Sequence, residues 1–183
     1  MKRFLLVIFS ALSMNAWALG GYGTLSGDDK KVTDNVKTKL EISEDDAFRI
    51  YEAFLKSHLN SKNWQYNLYN NESLDSTKVG KSPNKTLMVN FVTDNRYINL
   101  TFVKYPAEKQ ILIQSIETLP RGSQAAIDKY SSLKADTAWS VDSDETEFSA
   151  FTKKGSTEKV KILVNSGVGG VQYIDFYTFD LKK

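Results

Sequence analysis

The chain predicts an α+β fold in which antiparallel sheet carries helices packed on one face. Three observations predict it. Ala47, Ile50, Tyr51, Phe54, Leu55 and Leu59 recur at steps of three and four, the stripe of a half-buried helix. Downstream, short runs such as Leu87, Val89, Phe91 and Ile98, Leu100, Phe102 alternate apolar with polar residues, the period of strands. The order of a helix followed by four strand signals then occurs twice, giving either two helix-plus-four-strand halves or a single curved sheet wrapped around the first helix.

The first segment, 1–18, has the three parts of a secretory signal peptide. Lys2 and Arg3 precede an apolar run from Phe4 to Leu12, and Ala16-Trp17-Ala18 sets small residues at the two positions a signal peptidase reads. The run is too short to cross a bilayer, which takes roughly 20 residues. The expectation is cleavage after Ala18, a mature form without a transmembrane segment, and a periplasmic or secreted location. Residues 19–42 read as a flexible arm, rich in Gly20, Gly21, Gly23 and Gly27, that ends in an edge strand. There Val36, Thr38, Leu40 and Ile42 alternate with Lys37, Lys39 and Glu41.

The first half spans 43–120. Ser43 caps the helix, and Glu44, Asp45 and Asp46 complement its positive end. Trp64, Tyr66 and Leu68 begin the strands, residues 70–85 form a loop, and Asp94-Asn95 turns one hairpin. Phe54 and Trp64 are expected in the core. The second half, 121–183, opens on a weaker helix with Ser123 as cap and Ala126, Ile127, Tyr130 and Leu133 as its stripe. Strands follow at Trp139 and Val141, Phe148 and Ala150, Val160 to Val164, and Ile174 and Phe176, with Ile174 and Phe176 taken as the core side. In element order the chain is similar to the secreted two-repeat inhibitors of β-lactamase, although it lacks their disulfides and shares no motif with them.

Composition bounds the chemistry. There is no cysteine, which excludes thiol nucleophiles, thiolate metal sites and disulfide exchange. The formal charge of +2 includes Lys2 and Arg3, so the mature chain is close to neutral. Nothing in that balance predicts capture of nucleic acid or of an anionic membrane.

The candidate catalytic groups are sparse. His58 is the only histidine, so any serine triad or zinc site would have to use it. It lies beside Leu59 on the first helix, where a packed histidine is the simpler reading. Ser82/Lys85 and Ser131/Lys134 match the Ser-x-x-Lys spacing of acyl-serine enzymes but lack that class's companion motifs. Asp142, Asp144, Glu145 and Glu147 crowd one turn without the glycine that bends a calcium loop. Ser166 to Gly170 is glycine-rich but joins two strands, whereas a phosphate cradle needs a helix N-terminus. No catalytic residue, metal ligand or cofactor is assigned.

One surface is nominated. If Ile174 and Phe176 face the core, then Tyr173, Asp175 and Tyr177 share the other face of the last strand, two tyrosines flanking a carboxylate. Tyr97 and Tyr105 would extend that surface. The sequence therefore predicts a non-enzymatic binding module of the envelope, with another envelope protein or a cell-surface ligand as its partner. A small secreted hydrolase is the alternative.

Overall fold

A computed structural model describes residues 21–69, 78–79, 82–93, 96–105, 108–145, 148–166 and 170–182. The leader 1–18 with its cleavage site, most of the 70–85 loop, the Asp94-Asn95 turn, Glu147 and Gly167–Gly169 lie outside the described residues.

The fold is mixed α+β: among the described residues, one open, eight-stranded antiparallel sheet and three helices. After a 3-10 turn at Tyr22–Thr24 comes α1 (Gly27–Leu40). The second helix, α2, comprises Glu44–Ile50, a π-helical turn over Tyr51–Leu55, and Lys56–Leu59. Four strands follow: β1 (Gln65–Tyr69), β2 (Lys85–Val92), β3 (Tyr97–Lys104) and β4 (Gln110–Pro120). A two-residue ladder between Lys78–Val79 and Ser82–Pro83 stands apart from the sheet. Then come α3 (Gln124–Ala135), β5 (Trp139–Asp144), β6 (Phe148–Lys153), β7 (Lys159–Ser166) and β8 (Gly170–Asp180). Strand order across the sheet is 1-2-3-4-8-7-6-5, so β4 and β8 join two four-strand meanders and β1 and β5 are the edges.

The arm and edge strand expected over 19–42 are replaced, from Gly27 on, by α1. Val32, Val36 and Leu40 stand four residues apart, and all three are 0% exposed. That helical stripe overrides the period-two pattern, which shares Val36 and Leu40 with it. Asp28 and Asp29 occupy the first turn, Lys37 and Lys39 the last, each matched to the helix dipole. Glu41 closes the helix in the left-handed region at φ 52°.

Ser43 caps α2 as its position predicts, accepting from the Asp46 amide at 3.1 Å. Asp46, 2% exposed, also accepts from Arg49 at 2.8 Å and from the backbone amide of Lys182 at 3.1 Å. Arg49 in turn donates to the carbonyl of Asp180. The end of the chain is thereby fastened to the start of α2. Ser123 caps α3 in the same way, accepting from the Ala126 amide.

Two buried clusters organise the interior. The larger joins Val32, Val36 and Leu40 of α1 and Ile50, Tyr51 and Leu55 of α2 to Leu87, Val89 and Phe91 of β2, Leu100 and Phe102 of β3, and Ile111 and Ile113 of β4. Phe54 and Trp64 pack against it but are themselves only partly buried. The smaller joins Ala126 of α3 to Leu119, Phe151, Val160, Ile162, Val171 and Tyr173.

Candidate binding surface

The ladder between β4 and β8 decides which way the last strand faces. Tyr173 pairs with Glu117, Asp175 with Ser115 and Tyr177 with Ile113. Residues 173, 175 and 177 therefore point toward the two buried clusters, and Ile174 and Phe176 point away. Tyr173 is 1% exposed and Asp175 8%, while Tyr177 is half-buried. The sequence reading had the two faces of this strand reversed. Both faces carry large apolar or aromatic residues, so alternation alone does not say which is inward.

Each of these three residues is in structural use, and Tyr177 reaches across to the first half. The Tyr173 hydroxyl donates to the carbonyl of Ala126, and burial pushes its pKa up to about 12. The Tyr177 ring meets Phe54 of α2 edge-on, centroids 5.4 Å apart. Asp175 belongs to a charged seam between the clusters. Lys129 of α3 reaches Glu117 at 2.7 Å and Asp175 at 3.7 Å, and stands 4.7 Å from the centre of the Tyr173 ring. Arg96 pairs with the other oxygen of Glu117 and covers Trp64 at 5.6 Å. Burial raises the Glu117 carboxyl, but Lys129 and Arg96 together outweigh it and hold the group below its ordinary value. Burial dominates at Asp175, whose pKa is raised despite Lys129.

The other sequence candidates are in structural use. His58 packs against Phe91, tilted at 4.9 Å, and Trp64, edge-on at 5.3 Å, and burial, then Arg96, lowers its pKa. Lys134 pairs with Asp144 at 2.7 Å, which raises its pKa and keeps it protonated, unsuited to activating Ser131. Lys85 pairs with Glu41 at 3.1 Å. Asp142 accepts from Thr152. A cleft of 240 Å³ lined by Asn35, Thr38, Lys39, Glu41 and Lys85 lies at the Lys85–Glu41 pair.

A different surface emerges from the same registers. On the side away from both clusters, alternate residues of β1, β2, β3, β4 and β8 form three rows across the sheet. One row is Asn67, Asn90, Asn99, Ile116, Ile174. Its neighbours are Tyr69, Met88, Thr101, Gln114, Phe176 and Gln65, Val92, Tyr97, Thr118, Gln172. None of these residues is charged, in a chain that is 25% charged. Ile116, Ile174 and Phe176 sit on the two central strands yet remain half-exposed, whereas Ile113 on the reverse side is 0% exposed. Asn90 is 8% exposed, and its amide oxygen has no hydrogen-bond partner among the described residues. Beyond β8 the face turns basic at Lys159 and Lys161, the latter 5.6 Å from the Phe176 ring. Tyr97 lies on this face and not on that of Tyr173, so the tyrosines expected to act together are divided between the two sides. The absence of charge at alternate positions of successive strands was the available sequence signal, but it appears only once the strands are aligned.

No protein-family model, curated protein or solved structure matches this chain.

Proposed function

We propose that this chain is an exported, non-enzymatic binding module of the cell envelope whose partner is another protein, docked on the uncharged side of the sheet. In this reading the two helix-plus-four-strand halves form one platform, with the helices on a common face and recognition on the other. The observation that carries it is the set of charge-free rows, in which Ile116, Ile174 and Phe176 stay partly exposed on the two central strands while Asn90, Asn99 and Thr101 are buried. The centres of protein interfaces are depleted in charge and enriched in aromatic residues and methionine, with a polar rim. Tyr69, Tyr97, Phe176 and Met88 supply the first property, Lys159 and Lys161 the second. The amides of Asn67 and Gln114 offer hydrogen bonds that fix orientation.

The hydrolase alternative draws less support. Its best carboxylates, Glu117 and Asp175, are 6% and 8% exposed and share Lys129, an arrangement suited to holding α3.

The test compares wild type with Ile116→Lys plus Phe176→Lys. Both proteins are tagged, exported and used to capture partners from envelope extracts. The double variant should melt within a few degrees of wild type and lose the species that wild type retains. Equal capture by both would remove the surface. N-terminal sequencing of the exported form should begin at Leu19, and membrane retention that resists high salt would sink the export reading.

A further inference from the structure

The two edges of the sheet are built differently. On β5, Asp142 and Asp144 put carboxylates along the edge, and the register with β6 shifts between Val141 and Ser143. Charge and a bulge are the devices that keep an edge from recruiting another strand. The opposite edge has neither. β1 reads Gln-Tyr-Asn-Leu-Tyr, without charge or proline, and its ladder with β2 runs unbroken from Gln65↔Val92 to Tyr69↔Met88. Gln65, Asn67 and Tyr69 are exposed, Tyr69 at 49%, and among the described residues no strand pairs with the outer side of β1.

We propose that β1 pairs antiparallel with β1 of a second copy of this chain, about a twofold axis at Asn67, joining two eight-stranded sheets edge to edge. The strand is complementary to itself in that register. Asn67 meets Asn67 of the second copy, Tyr66 meets Leu68, and Gln65 meets Tyr69. These are amide–amide, aromatic–aliphatic and amide–phenol pairs, and no like charges are opposed. A register in which all five residues pair satisfies the most edge amides and carbonyls. Beside the seam, the Tyr66 hydroxyl donates to Asp28 at 2.6 Å and Lys31 lies 5.9 Å from the Tyr66 ring. Each copy thus brings one carboxylate and one ammonium, and the seam stays neutral. On the other side the row Asn67, Asn90, Asn99 meets its own copy and becomes one continuous line of amides. A closed, isologous pairing of this kind ends at two copies, because β5 is protected. The proposal rests on the free backbone edge of β1, whereas the proposed function is tested at Ile116 and Phe176 on the central strands, so the two can fail independently.

The absence of cysteine makes the test direct. Asn67→Cys places the only thiol on the axis, where opposed β-carbons lie about 4.5–5.5 Å apart, near the span of a disulfide. Under mild oxidation the exported variant should form a covalent dimer on a non-reducing gel, reversed by reductant. Gln65→Cys and Tyr69→Cys should link to each other when mixed and neither to itself. Val141→Cys, at a residue 49% exposed on the β5 edge, reports random collision. Sedimentation equilibrium of the unmodified protein should show a concentration-dependent dimer, and Asn67→Lys should raise its dissociation constant by about tenfold or more. A monomer at all concentrations overturns the proposal. So does Asn67→Cys linking no faster than Val141→Cys, or Gln65→Cys linking to itself. Binding only of an added extended peptide at this edge would replace the second copy with a different occupant and also overturn it.

Discussion

Replacing Lys129 with methionine keeps the aliphatic stem against Tyr173 and removes the ammonium that bridges Glu117 and Asp175. At 2.7 and 3.7 Å, and an effective dielectric of about 20, the two gross attractions are roughly 6 and 4–5 kcal/mol. Most of that repays the hydration that the three groups give up on burial. Arg96 continues to pair with Glu117, so Asp175 is left worse off. Breaking a buried ion pair from one side costs 3–5 kcal/mol in general; with Arg96 remaining, Lys129→Met should cost about 3 kcal/mol at pH 7. In urea this appears as a midpoint about 1–1.5 M lower at unchanged slope. The pH dependence has a definite sign. The Glu117 carboxyl is held low in the folded state, so its pairing stabilises above its unfolded pKa and is lost as pH falls through the folded one. The Asp175 carboxyl is raised, so its charge costs stability when ionised, and acid relieves that cost. Without Lys129 both carboxyls move up, and the deficit of the variant should shrink between pH 7 and about 4.5. Asp175→Asn in the Lys129→Met background should recover part of the loss at pH 7. A deficit below about 1 kcal/mol, or one that does not shrink in acid, would refute a bridging role for Lys129.

Tyr173→Phe should lose about 1–1.5 kcal/mol with the buried hydrogen bond to Ala126, and Tyr173→Ala about 3–5 kcal/mol with the side-chain volume, both read from thermal or urea melts. Gly170→Ala should be destabilised by about 1–3 kcal/mol, because an added Cβ would stand 2.7 Å from the backbone oxygen of Leu119, which cannot swing aside; a neutral variant would mean the β4–β8 ladder gives locally. In an NMR titration the His58 imidazole should protonate below its ordinary 6.5, burial being the main cause, and Arg96→Ala should move the midpoint up.

Most strands were legible because turn residues separate them and β-branched and aromatic residues fill them; β2, β3 and β4 lie where Leu87–Phe91, Ile98–Phe102 and Ile111–Ile113 place them. The starts of α2 and α3 were legible for a local reason, since a serine cap is a contact within four residues. Two readings failed for a shared reason. The α1 segment and β8 each contain apolar residues that fit more than one arrangement, and only partners distant in sequence choose between them. Val36 and Leu40 satisfy a strand or a helix, and the larger cluster selects the helix. Tyr173 and Phe176 could each be inward, and the ladder to Glu117 and Gln114 assigns them. The seam was invisible for the same reason, because Arg96, Glu117, Lys129 and Asp175 come from a turn, two strands and a helix far apart in sequence.

The fastening of Asp46 to Lys182 has a kinetic consequence. The contact closes a loop of 136 residues, and the central ladder pairs β4 with the last strand of the chain. The first helix-and-sheet half can gather its own meander, but it gains its final neighbour and the last hydrogen bond on Asp46 only when the C-terminal residues arrive. Long closures of this kind slow folding. A ribosome-bound chain would lack the closing strand, and its helices would remain open to fraying. Deleting the tail after Phe179 should therefore slow refolding and loosen α2, which is far from the deletion in sequence but bonded to it in space.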